Sequence, residues 1–541
     1  MTEPCLRGQL VAPNLVAHSL KTVKRFVLCS AIIAATSASA FAAAIIKGNN
    51  TTGTDLTLGS AWNGGNAPGT GDVATWSSTS DVAAQTVNSD VTWNSINLTS
   101  GLAGALNISG TGAINLSIAQ SGNANAINNA SGRDLTIANS INLTATPGTT
   151  FTPPPSNVAA TNRLQFVATN NIILTGNVTA SGGAANSIYL NLRGTSTASR
   201  IDGTVTVNGQ LVKADAGTWT LNGNNSVGWI YMSNGILLGG NDNAFGGSSA
   251  TIYLDSASNG FTGMTIASKD STPHNFGNSI DFTSGTGFTG TLNLGQASIG
   301  TGAVTFSGVN LGGAVRKIQT NASTSISGSI SGTTSGGITK SGTGSLTLSG
   351  DSSSTYAGVT TVSAGTLITG NASALGTGNV SIGAGTLQVG NGLTNILIGV
   401  GSLTLNNSGS VLDLAAQAGI ISFASNQNFV MSLGTWKLNS DSLTTGSNVD
   451  QLSLSGAGTY NISGGTIDLA GFTSNVAGTY NIIGGTGTAS GLSFINGTAG
   501  FSYGFDTTGD LIVTAVPEPS ACGLIGVGLA GVLSVMRRRR A

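Results

Sequence analysis

Short runs of alternating apolar and polar residues recur along most of the chain. They are about five residues long, as at 95–99, 105–109, 113–117, 140–144 and 187–192. Apolar side chains two positions apart give an extended strand one dry and one wet face, so each run predicts a half-buried β-strand. Glycine or asparagine separates most of the runs and supplies the positive φ angles that tight corners need. The pattern predicts an all-β body without amphipathic helices.

Two segments of the chain repeat the same motifs. Residues 213–223 and 340–350 share the pattern K-x-x-x-G-[TS]-[WL]-T-L-[NS]-G. Downstream of each, residues 233–246 and 363–376 share S-x-G-x-L-[LI]-x-G-N-x-x-A-[FL]-G. Internal repetition of this kind is typical of proteins built from stacked coils.

Leucine spacing indicates the length of one coil. Four leucines are 19, 20 and 18 residues apart, namely Leu348, Leu367, Leu387 and Leu405. We expect them to stack inside an elongated, right-handed parallel β-solenoid (β-helix) of about 20 coils at ~4.8 Å each. Its stability would grow with stacking, and its open ends would expose strand edges that invite polymerisation. An array of β-sandwiches would show a similar pattern and remains the alternative.

The N-terminal tryptophans predict a closing cap. Trp62, Trp76 and Trp93 precede the repeats, and burying their rings would contribute about 2–3 kcal/mol each. We divide the chain into four parts: a signal peptide at 1–44, a β-rich part with the cap at 45–205, a solenoid with repeats at 206–514 and a sorting tail at 515–541.

The N-terminus has the layout of a secretory signal peptide. Lys21, Lys24 and Arg25 precede the apolar run 26–35, and small residues that suit a signal peptidase follow it. The 20 residues before Lys21 make the n-region unusually long, so either the true start lies downstream or the leader is extended. The body is therefore expected to be exported.

The C-terminus combines a rigid break, an apolar stretch and a cationic cluster. The break and the cluster are Val516, Pro517, Glu518, Pro519, Arg537, Arg538, Arg539 and Arg540. Proline excludes continuous helix before the uncharged run 520–536, where we expect a single hydrophobic helix. Such a helix spans only about 25 Å and is slightly short of a ~30 Å hydrocarbon core. The arginines should stay cytoplasmic, and an ordinary membrane anchor is the alternative.

This tail resembles the PEP-CTERM sorting signal over about 26 residues. The resemblance implies the cell surface or extracellular matrix of a Gram-negative-type bacterium as the destination. It also implies contact with the export machinery and an exosortase-like sorting protease. The C-terminal helix would then anchor the protein only transiently in the inner membrane.

The repeats resemble the autotransporter-associated β-strand repeat of secreted passenger domains. Residues 336–390 match its T-L-T-L strand, Tyr-x-Gly turn and A-G-T-L strand most clearly. Residues 209–246 match less well, because they lack the Tyr-x-Gly turn. The resemblance implies an exported β-helix, whose sorting we expect to depend on the tail rather than on self-export.

Composition excludes several kinds of chemistry from the body. All three cysteines and both glutamates fall in the end segments, which leaves no thiolate nucleophile, disulfide or sulfur metal site. Residues 45–515 carry 18 Asp against 11 Lys and Arg, which argues against nucleic-acid binding. Zinc needs several His or Cys ligands, and His274 is the body's sole histidine. We expect no cofactor and no metal.

No catalytic residues are expected. Glycosidases need two placed carboxylates, whereas the aspartates are scattered singly. His274 follows no G-x-S-x-G elbow and is expected to be solvated. Lys213 and Lys340 hold equivalent repeat positions; we expect solvated charges that blunt strand edges, with ligand contact as the alternative. Trp219, at a leucine-equivalent position, is expected in the core rather than on a sugar platform.

The sequence favours an exported, non-enzymatic structural or adhesive protein. Its polar faces would offer many weak hydrogen bonds to extracellular polysaccharide or to another copy of the chain. A carbohydrate-active β-helix enzyme is one alternative, and an ice-binding protein is another. Sustained ranks of T-x-T would favour ice binding, and none is found in the sequence.

Overall fold

The computed structural model describes residues 42–48, 54–118, 122–145, 162–181, 188–254, 263–283, 288, 290–296, 298–353, 355–390, 396–415, 418–440, 449–472 and 476–516. The chain divides into two compact units, Met1–Ala43 and Ala44–Ala541. Nearly all of the predicted signal peptide and the whole predicted helix at 520–536 lie outside the described residues.

The second unit consists of short β-strands. In its described part, the only helical pieces are two 3-10 turns, Gly59–Ala61 and Gly247–Ser249. Neither is long and apolar enough to cross a membrane, and the described residues hold no other candidate. The all-β prediction is therefore confirmed for the described residues.

The strands follow one another at short intervals. The N-terminal strands are β1 Ala44–Ile46, β2 Val73–Trp76, β3 Gln85–Thr86, β4 Val91–Trp93, β5 Ser95–Leu98, β6 Leu106–Ser109, β7 Ile114–Ile118, β8 Gly122–Asn129, β9 Leu135–Ile137, β10 Ile141–Ala145, β11 Asn162–Ala168, β12 Ile172–Leu174, β13 Val178–Ser181, β14 Ile188–Gly194, β15 Ser199–Ile201, β16 Val205–Lys213 and β17 Thr218–Leu221. The middle strands are β18 Ser226–Met232, β19 Gly235–Gly239, β20 Thr251–Leu254, β21 Gly263–Ser268, β22 His274–Asn275, β23 Ser279–Asp281, β24 Thr291–Leu294, β25 Val304–Phe306, β26 Gly308–Asn310, β27 Val315–Thr320, β28 Thr324–Ile326, β29 Ile330–Ser331, β30 Gly337–Ser341, β31 Ser345–Leu348, β32 Thr360–Val362 and β33 Thr366–Thr369. The C-terminal strands are β34 Val380–Ile382, β35 Thr386–Val389, β36 Ile396–Val400, β37 Leu403–Leu405, β38 Val411–Asp413, β39 Ile420–Phe423, β40 Phe429–Met431, β41 Thr435–Asn439, β42 Gln451–Ser453, β43 Thr459–Ile462, β44 Gly465–Gly471, β45 Gly478–Asn481, β46 Ile483–Gly484, β47 Thr486–Ala489, β48 Leu492–Ile495, β49 Phe501–Phe505 and β50 Asp510–Ala515.

Parallel pairing between successive coils builds four sheets. Sheet I runs β1-β2-β5-β8-β11-β14-β16-β18-β20-β23-β26-β29, with β4, β7, β10 and β13 beside it. Sheet II pairs β3-β6-β9-β12-β15-β17-β19-β21-β24-β27 and continues through β30-β32-β34-β37-β40-β43-β47. Sheet III runs β22-β25-β28-β31-β33-β35-β38-β41-β44-β48, and sheet IV runs β36-β39-β42-β46. Each coil thus gives one strand to each of two or three sheets, which is a β-solenoid architecture.

Apolar side chains form ladders inside the coils. In sheet III, Leu346, Leu367 and Leu387 occupy one register position and are fully buried. The ladder predicted from leucine spacing is wrong at two positions. Leu348 pairs with Thr369 of the next strand, and Leu405 belongs to sheet II. Loops of unequal length separate the strands, so distance along the chain does not report register.

The three N-terminal tryptophans are buried together, as predicted. Trp62, Trp76 and Trp93 are at most 3% exposed, and their ring centroids are 5.4, 5.9 and 6.5 Å apart with edge-to-face geometry. The Trp62 Nε1 donates a hydrogen bond to the Leu56 carbonyl at 3.0 Å. These contacts give the first coils an aromatic core.

The C-terminal coils end against a small antiparallel sheet. Sheet V is β45-β50-β49, in which β50 pairs with both neighbours. Its Tyr503 and Phe505 stack on Phe494 of β48, with both centroid distances 6.2 Å. Sheet V therefore contacts the last described coil of sheet III.

Candidate functional site

Of the predicted sorting residues, the structure describes one. Val516 follows β50 with its side chain exposed, and its backbone N–H donates to the Gly500 carbonyl at 2.7 Å. Pro517, Glu518, Pro519 and the four arginines lie outside the described residues. The sorting signal remains a prediction.

Lys213 is buried, so its predicted exposure is wrong. Its ammonium donates to three backbone carbonyls, those of Ala214, Asp215 and Asn234, at 2.8, 2.7 and 3.1 Å. Ala214 and Asp215 directly follow β16, whereas Asn234 directly precedes β19 of the next coil. Burial lowers the pKa of Lys213 to about 7, and the nearby Asp215 carboxylate acts in the opposite direction.

Lys340 occupies the equivalent place in the second repeat and is also buried. Its ammonium donates to the carbonyls of Ser341, Gly342 and Ala364, at 3.0, 3.1 and 2.9 Å. Burial lowers the pKa of Lys340 to about 8. Three donors meet three acceptors, so both lysines join a coil corner to the following coil instead of protecting a strand edge.

His274 is also placed differently from its prediction. Its side chain is only 10% exposed; Nδ1 lies 2.9 Å from the Asp242 carboxylate, and the ring stacks on Phe276 at 5.7 Å. Nε2 has no hydrogen-bond partner among the described residues. The pair thus supplies a base and an orienting carboxylate, but no described nucleophile contacts Nε2.

The described residues contain no group of three or more His, Cys, Asp or Glu side chains that could hold a metal ion. Trp219 lies in the core, as predicted, and its Nε1 donates to the Arg193 carbonyl at 3.2 Å.

One outward face of sheet I carries large polar and aromatic side chains. This aromatic–amide face comprises Gln165, Tyr189, Asn191, Gln210, Trp229, Tyr231 and Tyr253. Alternation along the strands explains its composition. In β18, Ile230 and Met232 belong to the core, so Trp229 and Tyr231 point outward.

Register places these residues in two ranks across successive strands. The first rank pairs Asn125, Gln165, Asn191, Val212, Tyr231 and Tyr253 in order, and it continues to Asp281, Asn310 and Ser331. The second rank pairs Arg163, Tyr189, Gln210 and Trp229 in order. Parallel, in-register pairing thus converts isolated positions in the sequence into straight rows.

Several polar atoms on this face lack hydrogen-bond partners within the described part of the chain. They are Gln165 Nε2, Asn191 Oδ1, Gln210 Nε2 and Trp229 Nε1. Gln165, Asn191 and Gln210 are each only 3% exposed, whereas Trp229, Tyr231 and Tyr253 are half-buried. A buried polar group without a partner costs about 1–3 kcal/mol. These four atoms have almost no accessible surface, so they are not open to a ligand.

One ion pair lies next to this face. Arg193 and Asp215 form an ion pair at 3.0 Å beside it, and Arg193 Nη1 lies 3.4 Å from Gln165 Oε1. The Arg193 hydrogen bond helps to lower the pKa of Asp215, against the larger, opposing effect of burial.

The chain matches the family described as Passenger-associated-transport-repeat over residues 211–228 and 338–368. No curated protein and no solved structure matches the chain. The match confirms the repeat part of the resemblance. The matched segments include Lys213 and Lys340, so each of them contains one of the buried lysines.

The aromatic–amide face was missed in the sequence. Its signal is the run Ser226–Met232, where tryptophan and tyrosine alternate with isoleucine and methionine. The neighbouring T-W-T-L strand with Trp219 carries the repeat motif but faces inward.

Proposed function

We propose that this protein is an exported, non-enzymatic structural or adhesive component of the cell surface or extracellular matrix. The match to passenger-associated repeats supports an exported, surface-exposed protein. The observation that carries the proposal is the stacked scaffold of parallel strands, on which the half-buried rings of Trp229, Tyr231 and Tyr253 lie on the neighbouring strands β18 and β20. Side chains held on strands present a ligand with fixed contacts.

The solenoid would be elongated and right-handed, since connections between parallel strands are almost always of that hand. The tail from Val516 would pass through an exosortase-like protease in a Gram-negative-type bacterium after transient anchoring in the inner membrane. Extracellular polysaccharide, or a second copy of the chain, would be the partner.

A binding assay tests the adhesive function. Residues 45–515 would be incubated with a panel of polysaccharides, and both binding and release of reducing ends would be measured. We expect binding without release. Release of reducing ends that is lost in His274→Ala would instead favour a carbohydrate-active enzyme, because the His274–Asp242 contact is the one observation that favours it.

A localisation experiment tests the sorting. The full chain would be compared with a form that lacks residues 516–541, by surface labelling and by mass spectrometry of the C-terminus. We expect the full chain to reach the surface without its arginines. Intact protein that stays in the cytosol with the arginine tail attached would contradict export.

A further inference from the structure

We propose that β49, the outer strand of sheet V, pairs with β49 of a second copy of this chain and closes a dimer. The two strands would run antiparallel about a two-fold axis at Tyr503, so that sheet V continues from one copy into the other. The contact would join the two copies at their C-terminal coils. This inference goes beyond the proposed function and does not depend on what the protein binds.

The hydrogen bonds between β49 and β50 show which backbone groups of β49 are used inside sheet V. Just before β49, the Gly500 carbonyl accepts the N–H of Val516, and just after it the N–H of Asp506 donates to the Asp510 carbonyl. Hydrogen-bonded residues of an antiparallel pair alternate with residues whose N–H and C=O point to the opposite edge. The even-numbered residues from 500 to 506 therefore bond to β50.

The odd-numbered residues of β49 direct their backbone groups away from β50. They are Phe501, Tyr503 and Phe505, which stand opposite β50 without any shift in register. No hydrogen bond among the described residues uses their N–H or C=O groups, and β49 pairs with no described strand except β50. The outer edge of sheet V thus presents three donors and three acceptors to a further strand.

The composition of β49 does not protect this edge. Natural proteins discourage pairing at a strand edge with lysine, proline or a β-bulge. The sequence of β49, Phe-Ser-Tyr-Gly-Phe, contains no charge and no proline, and its pairing with β50 contains no bulge. On its outward face Ser502 is exposed, and an added Cβ atom at Gly504 would meet nothing within 4 Å. A second strand can therefore approach β49 without a clash on that face.

A two-fold axis at Tyr503 pairs every unused backbone group of β49. Phe501 of one copy would lie opposite Phe505 of the other, and Tyr503 would lie opposite its counterpart. Three residues with one donor and one acceptor each, on two copies, give about six hydrogen bonds. Any other register of two antiparallel β49 strands leaves some of these groups without a partner. The strand is thus complementary to itself, as a closed two-fold interface requires.

Charge favours the antiparallel arrangement over a parallel one. The turn after β49 carries Asp506 and Asp510. Antiparallel pairing about Tyr503 places Asp506 opposite Gly500 of the second copy, so the two acidic turns lie about 20 Å apart, the span of six residues in a strand. Salt screens charges at that distance, because the Debye length is ~8 Å at physiological ionic strength. Parallel pairing would instead place Asp506 beside its counterpart, at the ~4.8 Å spacing of neighbouring strands.

The C-terminal tail is the other segment that begins near this edge, since Val516 is bonded to Gly500. Its first residues are poor partners for a strand, because Pro517 and Pro519 have no N–H to donate. A second β49 offers a donor and an acceptor at each of the three positions. The edge therefore fits a second copy better than the tail.

Disulfide crosslinking tests both the pairing and its register. Residues 45–516 contain no cysteine, so introduced thiols would have no competitors. Ser502 would lie opposite Gly504 of the second copy with Cα atoms about 4.5 Å apart, which a disulfide can bridge. We expect a crosslinked dimer when Ser502→Cys chains are mixed with Gly504→Cys chains and oxidised in air, and little from either variant alone. Equal crosslinking of a single variant and of the mixture would overturn this register.

The same mixture of residues 45–541 tests the tail as a competitor. Cys522→Ser removes the thiol of the tail from these longer chains. We expect the same crosslinked dimer. A crosslink that forms in residues 45–516 but not in residues 45–541 would assign the edge to the tail and overturn the second copy.

Charge variants test the strength of the dimer. The double change Ser502→Lys/Gly504→Lys sets lysine opposite lysine, so the dimer dissociation constant should rise at least about tenfold in analytical ultracentrifugation. Adding the Ser502→Asp/Gly504→Asp chain should restore dimers, because opposite charges then face each other. Thr486→Lys/Thr488→Lys, at two exposed positions of β47, is the matched control and should leave the dissociation constant unchanged. Circular dichroism would check that every variant is folded.

The outcomes distinguish this inference from the proposed function. A chain that stays monomeric at high concentration would overturn the pairing and leave the adhesive function standing. Assemblies that grow beyond the dimer would also overturn it, because a two-fold contact closes on itself. Dimers that tolerate the lysine pair as well as the control does would place the contact elsewhere and overturn the role of β49. Dimers that bind no polysaccharide would count against the proposed function alone.

Discussion

At the scale of single residues, the buried lysines stand out. Lys213 and Lys340 each place an ammonium against three carbonyls drawn from two successive coils. Arg316 makes an equivalent set of contacts, with the carbonyls of Leu311, Phe288 and Phe282. In an exported body without cysteine, such cations fasten corners that disulfides would hold in other secreted proteins.

Replacing one of these lysines should destabilise the protein. Lys340→Met keeps the apolar stem but leaves three carbonyls without their donor, so the free energy of unfolding at pH 6 should fall by about 1–3 kcal/mol. Denaturant titration would measure it. Lys317→Met is the matched control, because Lys317 is exposed on the neighbouring strand β27 and should change stability by less than about 0.5 kcal/mol. If Lys340→Met and Lys317→Met changed the free energy of unfolding equally, Lys340 would not stabilise the corner between coils.

Stability should also depend on pH with a minimum near neutrality. Asp450 is buried among N–H donors of Gly419 and Asn439, and burial raises its pKa to about 8, with a smaller contribution from Asp413. The unfolded carboxyl titrates near ~3.9. Between these values the folded state keeps a proton that the unfolded state has lost, so the free energy of unfolding should fall as pH rises from ~4 to about 8.

Above neutral pH, Lys213 and Lys340 should make the free energy of unfolding rise with pH, opposite to the effect of Asp450. The folded pKa of Lys213 is about 7 and that of Lys340 about 8, whereas an unfolded lysine titrates near ~10.4. Raising the pH across that window favours the folded state, which binds fewer protons. Unfolding curves at several pH values would test both trends. Asp450→Asn should remove the fall in the free energy of unfolding below pH 8, and Lys213→Met should reduce its rise above pH 7. Stability that is flat from pH 4 to 10 would contradict both.

Residue-level prediction from the sequence succeeded where apolar character decided the outcome. Trp219 was placed correctly because it replaces a leucine in a repeat strand. Lys213 and His274 were misplaced, because a charge or a lone imidazole is usually solvated and its partners here are backbone carbonyls and a distant aspartate. Trp229 was missed, because the outward side of a strand shows its neighbours only after coils are stacked.

At the scale of elements, period-two alternation identified the strands well. The runs at 95–99 and 113–117 correspond to β5 and β7, and their apolar residues are buried. Register was less predictable, since it depends on the corners. Leu348 and Leu405 were assigned to one ladder from spacing alone, whereas the corner lengths place them in different positions and sheets.

Glycines at one corner should tolerate no side chain. A Cβ atom added to Gly358 would overlap the carbonyl oxygen of Gly336 in the preceding coil, and Gly378 meets Gly358 in the same way. Gly358→Ala should therefore lower the free energy of unfolding by about 1–3 kcal/mol or more, because the coils must separate. Thermal or denaturant unfolding would measure this change.

The control for that corner is Gly71→Ala. Gly71 has no atom within 4 Å of an added Cβ, so the change should alter the free energy of unfolding by less than about 0.5 kcal/mol. If Gly358→Ala proved equally harmless, the close packing of coils at this corner would be wrong.

At the scale of the whole molecule, the C-terminal end of the stack of coils is covered in part by sheet V. Among the described strands, β47 and β48 pair only with the coil before them. Phe494 of β48 is covered in part by Tyr503 and Phe505 of sheet V. Sheet V, whose pairing is antiparallel, therefore interrupts the parallel stacking that would otherwise invite another copy.

Removing that sheet should cause self-association. A form of residues 45–496 lacks β49 and β50, which exposes Phe494 and the edges of the last coil. We expect light scattering to show assemblies that grow with protein concentration, whereas residues 45–516 stay monodisperse. A truncated form that remains monomeric at high concentration would show that sheet V does not block end-to-end contact.

The inward-facing cations also affect the lifetime of the protein after export. Trypsin-like proteases cut after accessible lysine and arginine, and residues 45–515 contain only eleven of these. Lys213, Arg316 and Lys340 are at most 5% exposed, which removes them from the cleavable set while the coils stay stacked. Outside the cell, the same side chains that fasten the corners would withhold cutting sites from digestive enzymes.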